Sequence, residues 1–239
     1  SRWSSCIGWT NGTFGRSNAS QKLRGSLNTN ERQSMVSVPK LLIIAERGYC
    51  TDTAGWVERI DLLLRIISQF PSMALQVRNK HRLEEWKEMD EQLKQWIPRY
   101  PQQLLINGVN LPEMNCGRHF PEVEMYMAQE ISSSPLLVQG ASIHSHPALR
   151  EAENFGVNYV QYGAVFPTSK PVRPVGLSAL QSICIASSLP VLAVGGISSL
   201  SRISDCLAHG AYGVSIGSWI LNAQHPRQRL KEIAQELHL

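Results

Sequence analysis

The sequence predicts an α/β protein whose parallel strands close into a (β/α)8 TIM barrel. From Lys40 onward, short apolar runs alternate with longer segments that carry apolar residues at helical spacing. Eight such strand-and-helix pairs can be counted, which is the number of units in this barrel. No Gly-x-Gly-x-x-Gly turn follows the first apolar run, which disfavours the competing fold, an open doubly wound sheet.

The predicted strands are short and mostly apolar, as expected for parallel strands that are buried on both faces. They lie at Leu41–Ala45, Ala74–Val77, Gln103–Ile106, Arg118–Phe120, Leu136–Val138, Asn158–Tyr162, Val191–Val194 and Gly213–Ile216. The last two strands both end in small residues, as the seventh and eighth units of such a barrel do when their loops hold a phosphate.

Between the strands, apolar residues recur every three or four positions, which predicts amphipathic helices. These helices lie at Trp56–Phe70, Arg82–Trp96 (ending before Pro98), Val123–Ile131, Pro147–Asn154, Leu177–Ser187 and Pro226–Leu237. Another helix is expected to begin at Ser198 and Ser199, whose hydroxyls can cap its first turn. The stretch Asn110–Cys116 is expected to hold no more than one turn of helix.

Residues 1–37 are predicted to be an N-terminal extension, and residues 38–239 a single barrel domain. The extension is rich in Ser, Asn, Gly and Arg and shows no apolar period, so it cannot bury enough surface to fold alone. It also accounts for the whole formal charge of +4, because the remainder is near neutral. Two interpretations stay open: an organelle transit peptide, or an upstream extension of a frame that starts at Met35.

Composition disfavours several classes of function. A neutral barrel domain argues against a nucleic-acid surface, and no apolar run is long enough to predict a membrane span. The five cysteines form no Cys-x-x-Cys pair, which fits reduced thiols and gives no zinc signature. We therefore expect a cytoplasmic protein, with organelle import only if the extension is a transit peptide.

Polar residues follow several predicted strands at the ends where such barrels carry their chemistry. They are Gln76, Arg78 and Lys80 after strand two, Asn107 after strand three, Ser142 and His144 after strand five, and Thr168, Ser169 and Lys170 after strand six. Arg78 offers a planar fork and Lys80 a point charge, so an anion such as phosphate or pyrophosphate is the expected ligand. A solvated loop residue is the alternative for any one of these charges.

The loops after the last two strands predict a phosphate cradle. Gly195 and Gly196 lack a Cβ, so their backbone can approach a ligand closely, and a helix N-terminus follows them. Gly217 and Ser218 end the neighbouring strand and would lie beside them. The alternative is that these glycines only permit tight turns.

His144 is the histidine best placed for proton transfer. It ends a predicted strand, and an imidazole can both accept and donate a proton near neutral pH. His146 is either its partner or a bystander, and the other histidines, His119 among them, have no comparable placement. A simple hydrogen bond in a loop is the alternative role for His144.

Taken in order, these pieces resemble the thiamine phosphate synthase/TenI superfamily over almost the whole of Leu41–Leu237. The matching pieces are Gln76-Val-Arg78-Asn-Lys80, Asn107, Gly140-Ala-Ser142-Ile-His144, Tyr162-Gly163, Phe166-Pro167-Thr168-Ser169-Lys170, Gly195-Gly196-Ile197 and Gly213-Val-Ser-Ile-Gly217-Ser218. The resemblance implies a (β/α)8 barrel of thiamine biosynthesis.

The two branches of that superfamily imply different chemistry. The synthase joins a hydroxymethylpyrimidine diphosphate to a thiazole phosphate, with Mg²⁺ held by carboxylates. Here Asn107 is followed by Gly108-Val-Asn110, and the acids near the fourth strand are Glu122 and Glu124, of which Glu124 would stand in for the second metal carboxylate. The TenI branch implies a metal-free thiazole tautomerase.

The resemblance to the TenI branch also assigns roles to the candidate residues. His144 would act as the acid and base, and Ser142 and Asn107 would orient the ring. The expected phosphate and substrate contacts are Gln76, Arg78, Lys80, Thr168, Ser169, Lys170, Gly176, Gly195, Gly196, Gly217 and Ser218. The loop Ser169–Gly176 matches neither branch.

We expect a TenI-like protein that binds a small phosphorylated heterocycle, tautomerises it and needs no cofactor. Two alternatives stay open: a Mg²⁺-dependent synthase that uses Glu124, and a non-catalytic ligand-binding barrel. A homo-oligomer is possible, and neither a nucleic acid nor a membrane is an expected partner.

Overall fold

A computed structural model of the protein describes residues 37–78, 89–108, 115–127 and 137–239. Eight parallel strands close into a barrel in sequence order, because β8 pairs with β1. The strands are β1 Leu41–Glu46, β2 Met73–Arg78, β3 Leu104–Asn107, β4 Gly117–Phe120, β5 Gln139–Ile143, β6 Tyr159–Gly163, β7 Val191–Val194 and β8 Gly213–Ile216. The predicted barrel fold is confirmed.

Helices flank the barrel after most strands. They are α1 Thr53–Ile67, α2 Asp90–Arg99, α3 Glu122–Met127, α4 His146–Phe155, α5 Gly176–Ala186, α6 Leu200–Ala208, α7 Ser218–Leu221 and α8 Pro226–Glu236, with a 3₁₀ turn at Arg47–Tyr49. Asp52 caps α1 by accepting a hydrogen bond from the Gly55 amide, which explains why α1 starts a turn earlier than predicted. Ser199 caps α6 as predicted, since its hydroxyl accepts from the Arg202 amide. No helix within the described residues is long and apolar enough to cross a membrane.

Two further elements differ from their predicted bounds in a way that has a clear physical reason. The fifth strand lies at Gln139–Ile143, not at Leu136–Val138, because small or polar residues at alternate positions can fill the barrel interior while Ala141 and Ile143 pack against the helices. Helix α2 continues through Pro98 to Arg99, although the sequence pattern ended it earlier. Pro98 is exposed and lies in the last turn of the helix. Proline has no backbone N–H to donate, and water can reach the carbonyl that would otherwise have accepted this hydrogen bond.

Two layers fill the barrel interior and set the height of the site. The lower layer is apolar and consists of Leu42, Ala74, Leu105, Val138, Tyr159 and Leu192. Above it lies a buried polar layer that contains Gln76, His119, Gln161 and Ser215. The side chains at the carboxyl ends of the strands therefore rest on a packed base, and this upper end, the mouth of the barrel, is where a ligand is expected.

Candidate functional site

A carboxylate that the sequence analysis missed organises the cations of the mouth. Glu46 ends β1, and Arg78 Nη1 donates to its Oε2 at 2.8 Å. Lys170, in the loop after β6, donates from Nζ to both carboxylate oxygens at 3.1 Å. Glu46 is 8% exposed. The predicted first strand stopped at Ala45, and a single acid after a strand gave no further signal.

Tyr49 links this charged group to the last glycine loop. Its ring centroid lies 5.9 Å from Lys170 Nζ, and a Cβ on Gly217 would come within 2.8 Å of the ring. Burial raises the pKa of the Tyr49 phenol, and the nearby Glu46 carboxylate raises it further. The phenol therefore stays neutral and packs between two places where an anion could bind.

His119 is a second functional candidate that sequence reasoning set aside. It is fully buried in β4, with Nδ1 2.9 Å from Tyr159 Oη and Nε2 2.8 Å from Ser142 Oγ. Burial, and to a lesser extent the Arg78 charge, lower the pKa of its imidazole to about 3. A neutral imidazole donates through one nitrogen and accepts through the other, so His119 can fix the direction of the Ser142 hydroxyl.

Glycine at position 140 makes that chain of hydrogen bonds possible. A Cβ on Gly140 would lie 2.0 Å from the Tyr159 ring, so only glycine lets the ring cross the barrel to His119. The sequence signal that could have revealed His119 was alternation, because every second residue of β4 and β5 points toward the barrel interior.

His144 has a carboxylate partner at the mouth. Its Nδ1 lies 2.6 Å from Oε2 of Glu122, the first residue of α3. A carboxylate accepts hydrogen bonds, so this contact places the hydrogen on Nδ1 and leaves Nε2 as the proton acceptor. His146 is not its partner, because its Nε2 lies 3.2 Å from Ser182 Oγ.

The Gly195–Gly196 turn is shaped by contact with the loop after β6. The two residues have φ angles of +95° and +70°, which favour glycine. A Cβ on Gly196 would lie 2.5 Å from the Pro167 carbonyl oxygen. Both the backbone angle and the close approach therefore require glycine here.

Arg202 fastens this turn from the first turn of α6. Its Nη1 donates to the Gly196 carbonyl and, at 3.1 Å, to Ser198 Oγ. The guanidinium also lies 4.9 Å from the Phe166 ring centroid, a cation–π contact. The loops after β6 and β7 are thereby held side by side.

An open cleft of about 670 Å³ runs outward from these loops between α7 and α8. Its lining includes Ser198 and Ser218, together with Trp219 and Arg229. Arg229 lies 4.3 Å from the Trp219 ring centroid, so one wall is an ordered aromatic and cationic surface. The cleft gives solvent access to the predicted phosphate cradle.

The remaining predicted residues lie at different depths. Gln76 is buried and accepts a hydrogen bond from Gln161 Nε2 at 3.1 Å, so it belongs to the polar layer below the mouth. Thr168 Oγ1 exchanges hydrogen bonds with the backbone of Lys170, which shapes the loop. Ser169 is exposed, Gly176 opens α5 with φ +80°, Asn107 ends β3 and is half-buried, and Lys80 lies outside the described residues.

The donors for a divalent metal at the mouth are few in the described ranges. Glu124 lies close to the backbone of Gly108, since its Oε2 would be 3.4 Å from a Cβ there. Asn107 precedes that glycine and supplies an amide oxygen. No group of three His, Cys, Asp or Glu side chains that could hold a metal occurs in the described parts of the chain. These residues supply few oxygen ligands, so water and substrate phosphate oxygens would have to provide the rest of an octahedral Mg²⁺ shell.

Comparison with known proteins decides the family. A family model described as thiamine monophosphate synthase (TMP-TENI) matches residues 42–220. The chain belongs to this family. A curated relative, the thiamine-phosphate synthase of Pyrococcus abyssi, is 32% identical over 128 residues, which are 53% of this chain and 59% of that protein. The aligned region thus spans less than two thirds of that relative's length.

Solved structures support the fold of this thiamine monophosphate synthase family member. The thiamine phosphate pyrophosphorylase from Pyrococcus furiosus is 24% identical, with a TM-score of 0.62 over 87% of this chain and 97% of that chain. The tryptophan synthase complex of the same organism gives a TM-score of 0.60 at 13% identity, over 85% and 99% of the two chains. At these identities the likeness shows the barrel alone. The predicted superfamily is confirmed by the family match.

Proposed function

We propose that this protein is a thiazole phosphate tautomerase of thiamine biosynthesis. The observation that carries the proposal is the 2.6 Å contact between His144 and Glu122 at the mouth. A tautomerisation breaks one C–H bond and forms another, so it needs a group that takes a proton and returns it. An imidazole oriented by a carboxylate is suited to both steps, because the carboxylate stabilises the imidazolium between them.

The neighbouring groups have positioning roles in this proposal. If the Tyr159 hydroxyl donates to His119 Nδ1, the Nε2–H of His119 donates to Ser142. The Ser142 hydroxyl hydrogen is then free to donate to a ligand heteroatom. Asn107, at the end of the adjacent strand β3, supplies an amide for the ring, and the glycine loops supply backbone N–H groups for the phosphate.

A thiamine-phosphate synthase is the second candidate, favoured by the printed name of the Pyrococcus abyssi relative. Glu124 beside Gly108 is the described carboxylate that could contribute to a magnesium site, and Arg78 and Lys170 could contact a diphosphate. Magnesium would supply charge neutralisation for a leaving pyrophosphate. The described residues supply few of its oxygen ligands, so water and substrate phosphates would have to supply the others.

One experiment separates these candidates. The protein is incubated with the non-aromatic tautomer of thiazole phosphate carboxylate, with EDTA or with Mg²⁺, and aromatisation is followed by ultraviolet absorbance. We expect conversion that EDTA leaves unchanged and that His144→Ala abolishes. In a second reaction, the protein is given the two synthase substrates, hydroxymethylpyrimidine diphosphate and thiazole phosphate. If thiamine phosphate forms there only with Mg²⁺, and the first reaction shows no aromatisation, the protein is instead a synthase. Binding of thiazole phosphate with no reaction in either assay would indicate a non-catalytic barrel.

A further inference from the structure

Glu46 lies where an anionic ligand would be expected between two cations of the mouth. Arg78 and Lys170 come from different elements, yet both donate to this one carboxylate at 2.8 to 3.1 Å. The carboxylate is the most buried of the three, because its side chain is 10% exposed, against 23% for Arg78 and 48% for Lys170. A ligand that approaches from the mouth therefore meets Lys170 first and the Glu46 charge behind it.

The charge of this group limits which anions it can hold. Two cations and one carboxylate leave a net charge of +1 for the three side chains. An incoming anion competes with Glu46 for the same N–H donors and is also repelled by its negative charge. The repulsion grows with the charge of the ligand, so a diphosphate is penalised more than a carboxylate or a single phosphate.

The position of Tyr49 places this group next to the predicted phosphate cradle. The Tyr49 ring contacts Lys170 on one side and lies against Gly217 on the other. A ligand with a phosphate at the glycine loops could therefore present a second, weaker anionic group to Lys170. Thiazole phosphate carboxylate has one group of each kind.

We infer that Glu46 is a specificity-determining residue that adapts Arg78 and Lys170 to a carboxylate or single phosphate and excludes a diphosphate. The inference deepens the proposed function, because it explains why a tautomerase would retain two cations that resemble a pyrophosphate site. It is distinct from the choice of His144 as acid and base, and it concerns binding alone.

The test is calorimetric titration of the full chain with inorganic pyrophosphate and, separately, with inorganic phosphate, at low salt and without metal. Glu46→Gln keeps the shape of the side chain and removes its charge. We expect pyrophosphate to bind about tenfold more tightly to this variant, which is the order of magnitude for removing one like charge near a multiply charged ligand. Phosphate affinity should change by much less.

Two controls accompany the variant. Glu151→Gln removes an exposed charge from α4 and should leave pyrophosphate affinity as in the parent. It controls for the change in net charge that Glu46→Gln also causes. Glu46→Asp keeps the negative charge and should also bind pyrophosphate weakly. Circular dichroism and thermal unfolding check that each variant is folded.

The result can overturn the inference in two ways. Tightening of less than fivefold in folded Glu46→Gln would show that Glu46 does not limit diphosphate binding. If that variant does not fold, the parent decides: binding of pyrophosphate tenfold or more tightly than phosphate would contradict the inference, and any smaller preference would support it. Failure of the proposed tautomerase is read from the absorbance assay and is independent of these affinities.

Discussion

Acidification should destabilise the folded protein through His119. Burial lowers the pKa of this imidazole from 6.5 to about 3. Below pH 6.5 the unfolded chain therefore binds a proton that the folded chain does not, so stability falls with pH until the folded pKa is reached. From the two pKa values, the loss attributable to His119 is about 2 kcal/mol between pH 7 and pH 5.

The measurement is urea unfolding of the parent and of His119→Gln at both pH values. Glutamine cannot titrate, and its amide can still donate toward Ser142, but it loses the hydrogen bond to Tyr159. We expect the variant to be less stable than the parent at pH 7 by about 1–3 kcal/mol, the cost of a broken buried hydrogen bond. Its loss of stability between pH 7 and pH 5 should be smaller than that of the parent by about 2 kcal/mol.

A matched control and a clear contrary result complete this test. His225→Gln removes an exposed histidine, and its stability should vary with pH as that of the parent does. Equal pH dependence in the parent and in His119→Gln would refute the reasoning, because it would mean that His119 is not held neutral by the fold. Near-identical stability of the two at pH 7 would also contradict the buried hydrogen-bond chain.

Three further predictions concern the mouth. Glu122→Gln should lower kcat of the proposed tautomerase about 10- to 100-fold with little change in KM, because the ring of His144 loses its orienting charge; absorbance progress curves measure this, and a pure KM effect would argue for a binding role. Gly196→Ala should lower the free energy of unfolding by about 1–2 kcal/mol or more, because its positive φ disfavours alanine and the new Cβ would collide with the Pro167 carbonyl. Thermal unfolding measures this, and Gly48→Ala, where a Cβ meets open space, is the control. Arg202→Met should raise KM for the phosphate ligand and change kcat little, since it releases the Gly196 turn; an unchanged KM would show that the turn needs no such support.

Alternation and strand order made much of the fold predictable. An apolar run between a proline and a glycine, such as Val191–Val194, is sufficient to place a buried strand, and eight such units in series imply closure. The fifth strand was misplaced because Gln139–Ile143 is less apolar than the residues before it, and its small residues face the interior. Composition alone does not show which face of a strand is covered.

The candidate site was predictable only where a residue type is distinctive by itself. The sequence singled out His144 and the Gly195–Gly196 turn as candidates in this way. His119 was set aside, because a histidine inside a short strand has no meaning until the register places it opposite Tyr159 and Ser142. Glu122 was recognised as a local acid but not as the partner of His144.

The sequence by itself determined the barrel, the family and the end of the barrel where polar side chains gather, because these follow from local patterns of burial and spacing. Only the tertiary structure decided which side chains meet. Glu46 is 32 residues from Arg78 and 124 from Lys170, and closure of the barrel brings their three elements together at the mouth. The charge of the mouth is a sum over such distant neighbours, so it depends on the closed fold and cannot be read from any one segment.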